Sequence, residues 1–291
     1  MDAASEKNLD PGVARAFGEE WSAFRQGEAS LSPAERRAIF GDYFRIFPWH
    51  LLPQDGGIGA DIGCGSGRWA MLVAPRTRHL HVLDPSPEAL AVARENLKTE
   101  KNVTFHLAGV GDIPLPSRAL DFAFSLGVLH HVPDTQAAID AIAAKLKPGA
   151  PFLLYLYYAF DNRPRWYAPL WALTNVLRLL TSRLPHRLRI VVSETIAAAV
   201  YWPLARLAGL LSRAGIPRGS LPLSWYADKS FYVMRTDAYD RFCTRIEKRF
   251  TRAEIERMLA AAGFGQIRFS ELPPYWCAVG IRSADDERPA L

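Results

Sequence analysis

Cysteine is scarce in this chain, and its few copies stand far apart. Only three of the 291 residues are cysteine, at positions 64, 243 and 277. That spacing matches neither a disulfide framework nor the paired cysteines of a zinc site. Acidic residues are not clustered at the spacing of metal ligands either. The sequence therefore argues against a disulfide-stabilised secreted domain, and it predicts no metal site.

Long uncharged apolar runs are also lacking. The longest in the arginine-rich middle of the chain are Trp166–Leu177 and Thr195–Ala205, whereas a membrane-spanning helix needs about 20 apolar residues. The first residues include Asp2, Glu6 and Lys7 rather than the apolar core of a signal peptide. We therefore expect a cytoplasmic protein. With 49% hydrophobic residues over 291 positions, the chain is long enough for one large α/β domain and an added element.

A glycine-rich turn follows the first apolar run that reads as a buried strand, Ile58–Ile62. Asp61 near the end of that run is followed by glycine at positions 63, 65 and 67. Glycine at a strand-to-helix turn lets the backbone approach a ligand without a Cβ in the way, and the first amides of the next helix point at that ligand. The spacing differs from the Gly-x-Gly-x-x-Gly dinucleotide fingerprint. The turn predicts a site for another nucleotide-like cofactor.

A second carboxylate stands at the end of the next apolar run. The run His79–Leu83 is followed by Asp84, about 20 residues after the glycine turn. An acid at this position commonly binds a ribose diol. An alternative is that Asp84 caps the helix that begins near Ser86 or Pro87. We favour the ribose role because the glycine turn precedes it.

Several blocks in this order resemble the class I S-adenosylmethionine-dependent methyltransferases, in particular the small-molecule branch often labelled type 11. They are Asp61–Gly67, Asp84, Gly111–Pro116, Asp121–His131 and the tail Phe250–Phe264. The resemblance covers residues 57–158 and 240–282. It implies S-adenosylmethionine as cofactor, S-adenosylhomocysteine as product and a small-molecule acceptor whose identity it does not specify.

The resemblance also implies the fold, a Rossmann-like, doubly wound and mostly parallel seven-stranded α/β sheet. About seventy residues separate the predicted fifth strand, Pro151–Tyr158, from Phe231, too many for a structureless loop. Their leucine and tryptophan spacing predicts helices, so we expect a helical cap inserted after the fifth strand. The expected parts are an N-terminal helical lid (1–50), the cofactor-binding core (51–158), the inserted basic cap on the substrate side (159–230) and the completion of the core (231–291).

The resemblance assigns cofactor contacts to particular residues. Many relatives have an acidic residue that contacts the adenine where this chain has Gly109, so backbone groups or Asp112 would have to serve instead. Trp21, in the predicted N-terminal lid, is a further candidate from its place in the chain. The predicted cofactor-binding residues are Trp21, Asp61, Gly63, Cys64, Gly65, Asp84, Pro85, Gly109, Val110 and Leu126.

Two histidines directly follow the predicted fourth strand. His130 and His131 stand at the carboxyl edge of a parallel sheet, where ligands bind. A hydroxyl acceptor needs a base, and histidine is suited to that role near neutral pH. Because neighbouring side chains diverge, one of them would face the methyl group, and the resemblance favours His131. Alternatively both hold the turn through backbone hydrogen bonds. Tyr157 is the third catalytic candidate.

Basic residues are concentrated in the predicted cap. Asp161–Ser220 contains nine arginines and two acids. This fits an ordinary solvated lid, an anionic acceptor or docking on a membrane surface. It lacks the continuous basic track and recognisable module of a nucleic-acid binder, so we do not expect nucleic acid as a partner. Candidate substrate contacts are Tyr155, Arg163 and Tyr226.

Three functions therefore remain open from the sequence. The first is a cytoplasmic methyltransferase of a small, anionic acceptor. The second is a peripheral membrane methyltransferase of a lipid or quinone-like acceptor. The third is a non-catalytic cofactor-binding sensor or scaffold. The sequence does not indicate an oligomeric state.

Overall fold

The structure is a computed structural model that describes residues 8–27, 31–216 and 221–284. The chain forms two compact units, one from residues 1–159 with 246–291 and one from residues 160–245. Arg218 of the basic segment lies outside the described residues, as do both ends of the chain.

The first unit is built on a seven-stranded sheet in the order β3-β2-β1-β4-β5-β7-β6. The first five strands are parallel, and β7 runs antiparallel to both of its neighbours. The predicted Rossmann-like fold is thus confirmed. The strand order reverses between β1 and β4, which is where doubly wound sheets open a ligand cleft. The strands are β1 Ile58–Ile62, β2 His79–Asp84, β3 Val103–Leu107, β4 Phe122–Leu126, β5 Pro151–Tyr155, β6 Phe264–Phe269 and β7 Cys277–Arg282.

The helices of the first unit flank the sheet, and their first residues follow the expected capping rules. Ser32 accepts a hydrogen bond from the Glu35 N–H at 3.1 Å, and Pro33 is the first helical residue, an order of residue types that is typical of a helix start. Asp134 caps the helix that ends at Lys145 in the same way, accepting from the Ala137 N–H. The helices are α1 Pro11–Ala23, α2 Pro33–Phe44, α3 Ala70–Val73, α4 Pro87–Asn96, α5 Thr135–Lys145, α6 Tyr167–Thr181, α7 His186–Ile196, α8 Trp202–Arg213, α9 Phe231–Cys243 and α10 Arg252–Ala261.

The central strands are buried on both faces, which explains their uninterrupted apolar sequence. Strand β5 ends at Tyr155, three residues earlier than predicted. Beyond it the Phe250 N–H donates to the Tyr157 carbonyl at 2.9 Å, and Tyr158 forms an isolated parallel bridge with Phe250. The regular strand thus stops before Tyr157, but the rings of Tyr155 and Tyr157 still lie on the same side, edge to face with centroids 6.0 Å apart.

The second unit consists of α6 to α9. A π-helical turn, Ala197–Tyr201, joins α7 to α8, so His186–Arg213 is one continuous helix. The unit ends at Arg245 rather than at 230, because α9 packs against α6 and α7.

The continuous α7–α8 helix bears on the expectation that no segment is long and apolar enough to cross a membrane. Among the residues that the structure describes, it is the one helix long and apolar enough, by length and composition, to cross a membrane. It has 28 residues, and 28% of its most apolar window is buried. The sequence prediction of no such segment counted only charge-free runs, which Glu194 and Arg206 interrupt.

Acidification is expected to weaken the folded first unit through His81. Its Nδ1 lies 3.0 Å from His106 Nε2, and burial, with His79 and His106 nearby, lowers the pKa of His81 to about 4. The unfolded imidazole binds a proton near its ordinary pKa of about 6.5. The free energy of unfolding should therefore fall as the pH drops from about 6.5 towards about 4. Urea midpoints at about pH 7 and about pH 5 should differ less in His81→Gln than in the wild type. Equal differences would contradict this assignment.

Candidate cofactor site and catalytic cluster

The turn after β1 is tied to the neighbouring strand β2. The N–H groups of Gly63 and Cys64 both donate to the Leu83 carbonyl oxygen, each at 2.9 Å. Gly65 follows with a φ of +53°, a left-handed conformation that suits glycine, and its N–H donates to Asp84 Oδ2 at 2.9 Å. The turn therefore lies against the carboxyl end of β2.

Asp84 holds two backbone groups at once. Its Oδ2 accepts from Gly65 and its Oδ1 accepts from the Ser86 N–H, also at 2.9 Å. Ser86, not Asp84, is the N-cap of α4, since its hydroxyl accepts from the Ala89 N–H. A carboxylate oxygen has more than one acceptor position. Asp84 is thus oriented by the backbone and can still accept hydrogen bonds from a ligand.

A second carboxylate, Asp61, is buried close to Asp84. Burial, followed by the charge of Asp84, raises the pKa of Asp61 well above its ordinary value, and Arg68 opposes this only partly. Burial also raises the pKa of Asp84 to about 6, against the two backbone hydrogen bonds that lower it. Among the described residues, Asp61 Oδ2 has no hydrogen-bond partner.

This pair of carboxylates fits the expected cofactor. Two neighbouring buried acids whose pKa values are both raised favour a ligand with positive charge and hydroxyl donors. S-Adenosylmethionine carries a sulfonium, an ammonium group and a ribose diol, whereas a dinucleotide would bring a negatively charged pyrophosphate. The residues present therefore suit S-adenosylmethionine.

Helix α1 brings Trp21 to the glycine turn. A Cβ added to Gly65 would lie 2.7 Å from the Trp21 ring, and one added to Gly18 would lie 2.5 Å from Ser86 Oγ. Helix α1 also packs along α4. Trp21 is therefore positioned beside the predicted cofactor site.

Two further predicted cofactor regions lie at the carboxyl ends of β3 and β4, at the same edge of the sheet as the glycine turn. Beyond Leu126, at the end of β4, Gly127 has a φ of +82° and no heavy atom within 4 Å of an added Cβ, so open space adjoins it. Gly109 leads into a 3₁₀ turn whose first residue, Val110, is buried in the core. The Ala108 N–H donates to the Asp84 carbonyl at 3.1 Å, which places this loop beside β2.

Cys64 and Pro85 flank the same region. Cys64 is buried beneath the turn, with its Sγ 3.6 Å from the Gly65 carbonyl oxygen. Burial, with Asp84 and Asp61 nearby, raises the pKa of the Cys64 thiol well above its ordinary value, so the thiol stays neutral. Pro85 is half-buried, directly after Asp84.

The three predicted catalytic residues lie together. The ring centroids of His130 and Tyr157 are 3.9 Å apart and stacked, those of His130 and His131 are 4.0 Å apart, and those of His131 and Tyr157 are 5.7 Å apart. The adjacent histidine side chains contact each other rather than diverging, which corrects the expectation from the sequence. The loop after β4 is coiled, so the alternation of a strand does not apply to it.

The two histidines differ in their surroundings. His131 Nδ1 hydrogen-bonds the Ile246 carbonyl oxygen, and since a carbonyl only accepts, Nδ1 carries the hydrogen. Nε2 is then the nitrogen that takes up a further proton. Burial, with His131 and Arg249 nearby, lowers the pKa of His130 well below its ordinary value, so His130 is neutral.

The segment from Ile246 to Arg249 contributes contacts that sequence reasoning missed. The Lys248 N–H donates to the His130 carbonyl at 3.0 Å. Arg249 pairs with buried Glu247 at 2.8 Å, and its guanidinium lies 5.2 Å from the centre of the Tyr157 ring. Charged residues of both signs in this segment are typical of a solvent-exposed stretch. The sequence therefore gives no sign of an ion pair beside the histidines.

The predicted substrate residues are divided between the two units. Tyr155 packs edge-on against Tyr43 at 5.1 Å, and burial raises the pKa of its phenol well above its ordinary value. Arg163 and Tyr226 belong to the second unit. There Arg163 lies 5.4 Å from the centre of the Tyr167 ring, and the Tyr226 hydroxyl donates to Asp237 at 2.8 Å. Their roles stay predictions.

Comparison with known proteins identifies the domain that holds this site. Residues 60–149 match the family described as "Methyltransferase domain". The chain is 33% identical over 100 residues to a ubiquinone biosynthesis O-methyltransferase of Xylella fastidiosa, covering 34% of this chain and 41% of that protein. It is 31% identical over 124 residues to a demethylmenaquinone methyltransferase of Tropheryma whipplei, covering 43% and 49%.

A further relative matches over part of its length, and a solved structure aligns over most of this chain. The chain is 34% identical over 100 residues to phosphoethanolamine N-methyltransferase 2 of Caenorhabditis elegans, covering 33% of this chain and 23% of that protein. A solved SAM-dependent methyltransferase of Thermotoga maritima aligns over 93% of this chain and 100% of its own, with 14% identity and a TM-score of 0.49. These alignments span less than half of the length of the curated relatives.

Proposed function

Residues 60–149 form a class I S-adenosylmethionine-dependent methyltransferase domain, and from that premise we propose that this chain transfers a methyl group to a small-molecule acceptor. One observation carries the proposal. Asp84 is fixed by the Gly65 and Ser86 amides beside a second buried carboxylate, Asp61, whose Oδ2 lacks a partner among the described residues. That arrangement suits a cationic nucleoside better than an anionic one.

Each residue of the site has a role in this proposal. Asp84 accepts hydrogen bonds from the ribose hydroxyls, and Asp61 attracts the positive charge of the methionine moiety. Trp21 covers the glycine turn. Gly109 and Val110 offer backbone groups to the adenine, and Leu126 offers its backbone to the methionine moiety. S-Adenosylmethionine supplies an activated methyl group on a sulfonium.

In this proposal one histidine of the pair removes the acceptor's proton and the other orients that histidine. As the new bond to the methyl carbon forms, the carbon–sulfur bond breaks and its electron pair goes to sulfur. A hydroxyl acceptor then has to lose its proton, and in this proposal His131 Nε2 takes it while Nδ1 stays on the Ile246 carbonyl, which fixes the tautomer. Neutral His130 and the Tyr157 ring orient His131 by packing.

Calorimetric titration with S-adenosylmethionine and S-adenosylhomocysteine tests the cofactor. We expect micromolar binding of both, followed by transfer of labelled methyl to an acceptor from a screen that begins with anionic metabolites. Absence of binding would contradict the proposal. Binding without turnover on any acceptor class would instead support the sensor or scaffold hypothesis.

Cofactor affinity is expected to fall on acidification. The ribose diol donates to an ionised Asp84, whose pKa in the free protein is raised by burial to about 6. Below that pH the carboxyl must first release a proton, so the dissociation constant should rise about tenfold per pH unit. Asp61, whose pKa is also raised, changes the affinity in the same direction. Titrations between about pH 7.5 and about pH 5 should show a shallower dependence in Asp84→Asn. Identical slopes would rule out Asp84 as the titrating group.

A lipid or quinone-like acceptor is the second candidate. Exposed large hydrophobic side chains are concentrated in the second unit, in keeping with an amphiphilic acceptor. Two of the relatives are named for ubiquinone biosynthesis and demethylmenaquinone. We propose that the protein is cytoplasmic and works at the membrane surface. The acceptor screen should therefore include hydroxylated quinone precursors in detergent micelles beside the anionic metabolites.

A further inference from the structure

Exposed apolar side chains are unevenly distributed along the chain. Of the 19 large hydrophobic side chains that are exposed among the described residues, 16 lie between Trp166 and Phe231, in the second unit. A contiguous apolar patch on a protein surface usually marks a binding site for a partner or a membrane. The question is which occupant this surface suits.

Helix α6 turns its polar residues inward and its leucines outward. Arg178 donates to the carbonyl of Thr244, Thr181 donates to the carbonyl of Phe242, and Thr174 accepts from Arg241. On the other side Leu173 and Leu180 are 70% and 63% exposed. A helix on a water-soluble domain is expected to bury its apolar side chains and to expose its polar ones, and α6 does the reverse.

The continuous α7–α8 helix likewise exposes its large apolar side chains to the solvent. Its buried positions recur at intervals of three or four residues, and all of them except Tyr201 are small or polar. The opposite side carries leucine and valine, with Val191 and Leu210 60% and 61% exposed. The buried positions with small or polar side chains are Arg189, Ser193, Ala197, Ala205 and Ala208.

The net charge of the second unit favours an anionic bilayer over a second copy of the chain as the partner of this surface. The second unit, residues 160–245, has thirteen lysines and arginines and five acids, a net charge of +8, which leaves −3 for the rest of a chain whose total is +5. Four arginines are exposed near the ends of α6 and of the α7–α8 helix, at positions 165, 183, 187 and 213. A second copy would bring the same positive charge, so its approach is disfavoured. An anionic bilayer offers negative headgroups and an apolar interior together.

Charged groups along the helix favour lying on the bilayer over crossing it. Glu194 pairs with Arg235 of α9, and Arg206 donates to the carbonyls of Ala227 and Lys229. A spanning orientation would carry these groups and part of α9 into the hydrocarbon, at considerable cost. An in-plane helix buries only its apolar side and keeps its charges at the headgroups.

We propose that the second unit docks on the surface of an anionic lipid bilayer through the outward, leucine-bearing sides of α6 and of the α7–α8 helix. Trp166 and Trp202, both nearly half exposed, belong to the side-chain type that settles at the interface. Nonspecific docking of this kind does not depend on the methyl acceptor or on cofactor binding.

Vesicle flotation tests this docking surface. The full chain should float with vesicles of phosphatidylcholine and phosphatidylglycerol, weakly with phosphatidylcholine alone, and less at high salt. The double variant Leu173→Asp/Leu207→Asp should bind at least about tenfold less. Arg183→Glu/Arg187→Glu should lose the preference for anionic vesicles. Leu107→Asp/Leu272→Asp, on two exposed leucines of the first unit, is the matched control and should float like the wild type.

Three outcomes would overturn the proposal. They are no flotation with anionic vesicles, association that resists carbonate extraction as a spanning protein does, and a dimer in sedimentation equilibrium that the Leu173→Asp/Leu207→Asp substitution dissociates. Asp84→Ala should float like the wild type, so failure of docking and failure of cofactor binding can be distinguished.

Discussion

Replacing Asp84 with alanine is expected to lower the affinity for S-adenosylmethionine by about two orders of magnitude or more. The substitution removes the acceptor of the ribose hydroxyls, and each charge-assisted hydrogen bond contributes about 1.5–3 kcal/mol. It also leaves the Gly65 and Ser86 amides without their acceptor, so the glycine turn loses its tie to β2. Calorimetric titration of both cofactor forms, with thermal unfolding of the free protein, separates the two effects.

Asp121 provides the matched control for Asp84. It accepts from the Ile58 N–H at 2.8 Å and pairs with Lys147 at 2.6 Å. Because it precedes β4, it lies at the opposite edge of the sheet from the cofactor site. Asp121→Ala should lower thermal stability and leave the dissociation constant for S-adenosylmethionine unchanged. If both variants weakened binding equally, Asp84 would be a structural residue and the ribose assignment would be wrong.

Local sequence rules predicted most of the first unit. Short apolar runs separated by helical segments dictate parallel pairing, and Ser32 and Asp134 cap their helices through hydrogen bonds that depend only on near neighbours. The position of Asp84 against the glycine turn follows from the same logic, because adjacent parallel strands end at one edge. These features depend on short stretches of chain and can be inferred from them.

Contacts between distant segments were not predictable in the same way. The pairing of Phe250 with the chain after β5 ends that strand at Tyr155, and it brings Ile246 to His131 across more than 100 positions. A single sequence holds no pattern that reports such a contact. The side-chain direction of His131 depends on it, which is why both histidine roles stayed open.

The second unit shows another limit of pattern reading. Charge-free runs were counted, but a helix continues through Glu194 and Arg206 when a partner or the solvent accepts their charge. Helical spacing alone also predicts that leucines face inward. Here the inward positions of α6 bond to backbone carbonyls at the end of α9, so the leucines remain outside. Only the packing of the helices reveals that reversal.

Replacing His131 with alanine is expected to reduce turnover by about 10²–10⁴-fold for a hydroxyl acceptor, with cofactor affinity unchanged. The loss follows from removing the nitrogen that takes the acceptor's proton. Single-turnover transfer of labelled methyl, measured beside calorimetric titration of S-adenosylhomocysteine, reports both quantities. His79→Ala, on a histidine of β2 outside the cluster, should leave both unchanged.

His131→Gln distinguishes a base from a turn-holding residue. Its side-chain amide can still donate to the Ile246 carbonyl, but it cannot accept a proton at neutral pH. If His131 acts as the base, the glutamine variant should be as slow as the alanine variant while its thermal stability returns towards that of the wild type. If glutamine instead restores turnover, the histidine only holds the segment before α10 against the loop after β4. The acceptor would then be a thiol, an amine or a carbon centre that loses its proton without this residue.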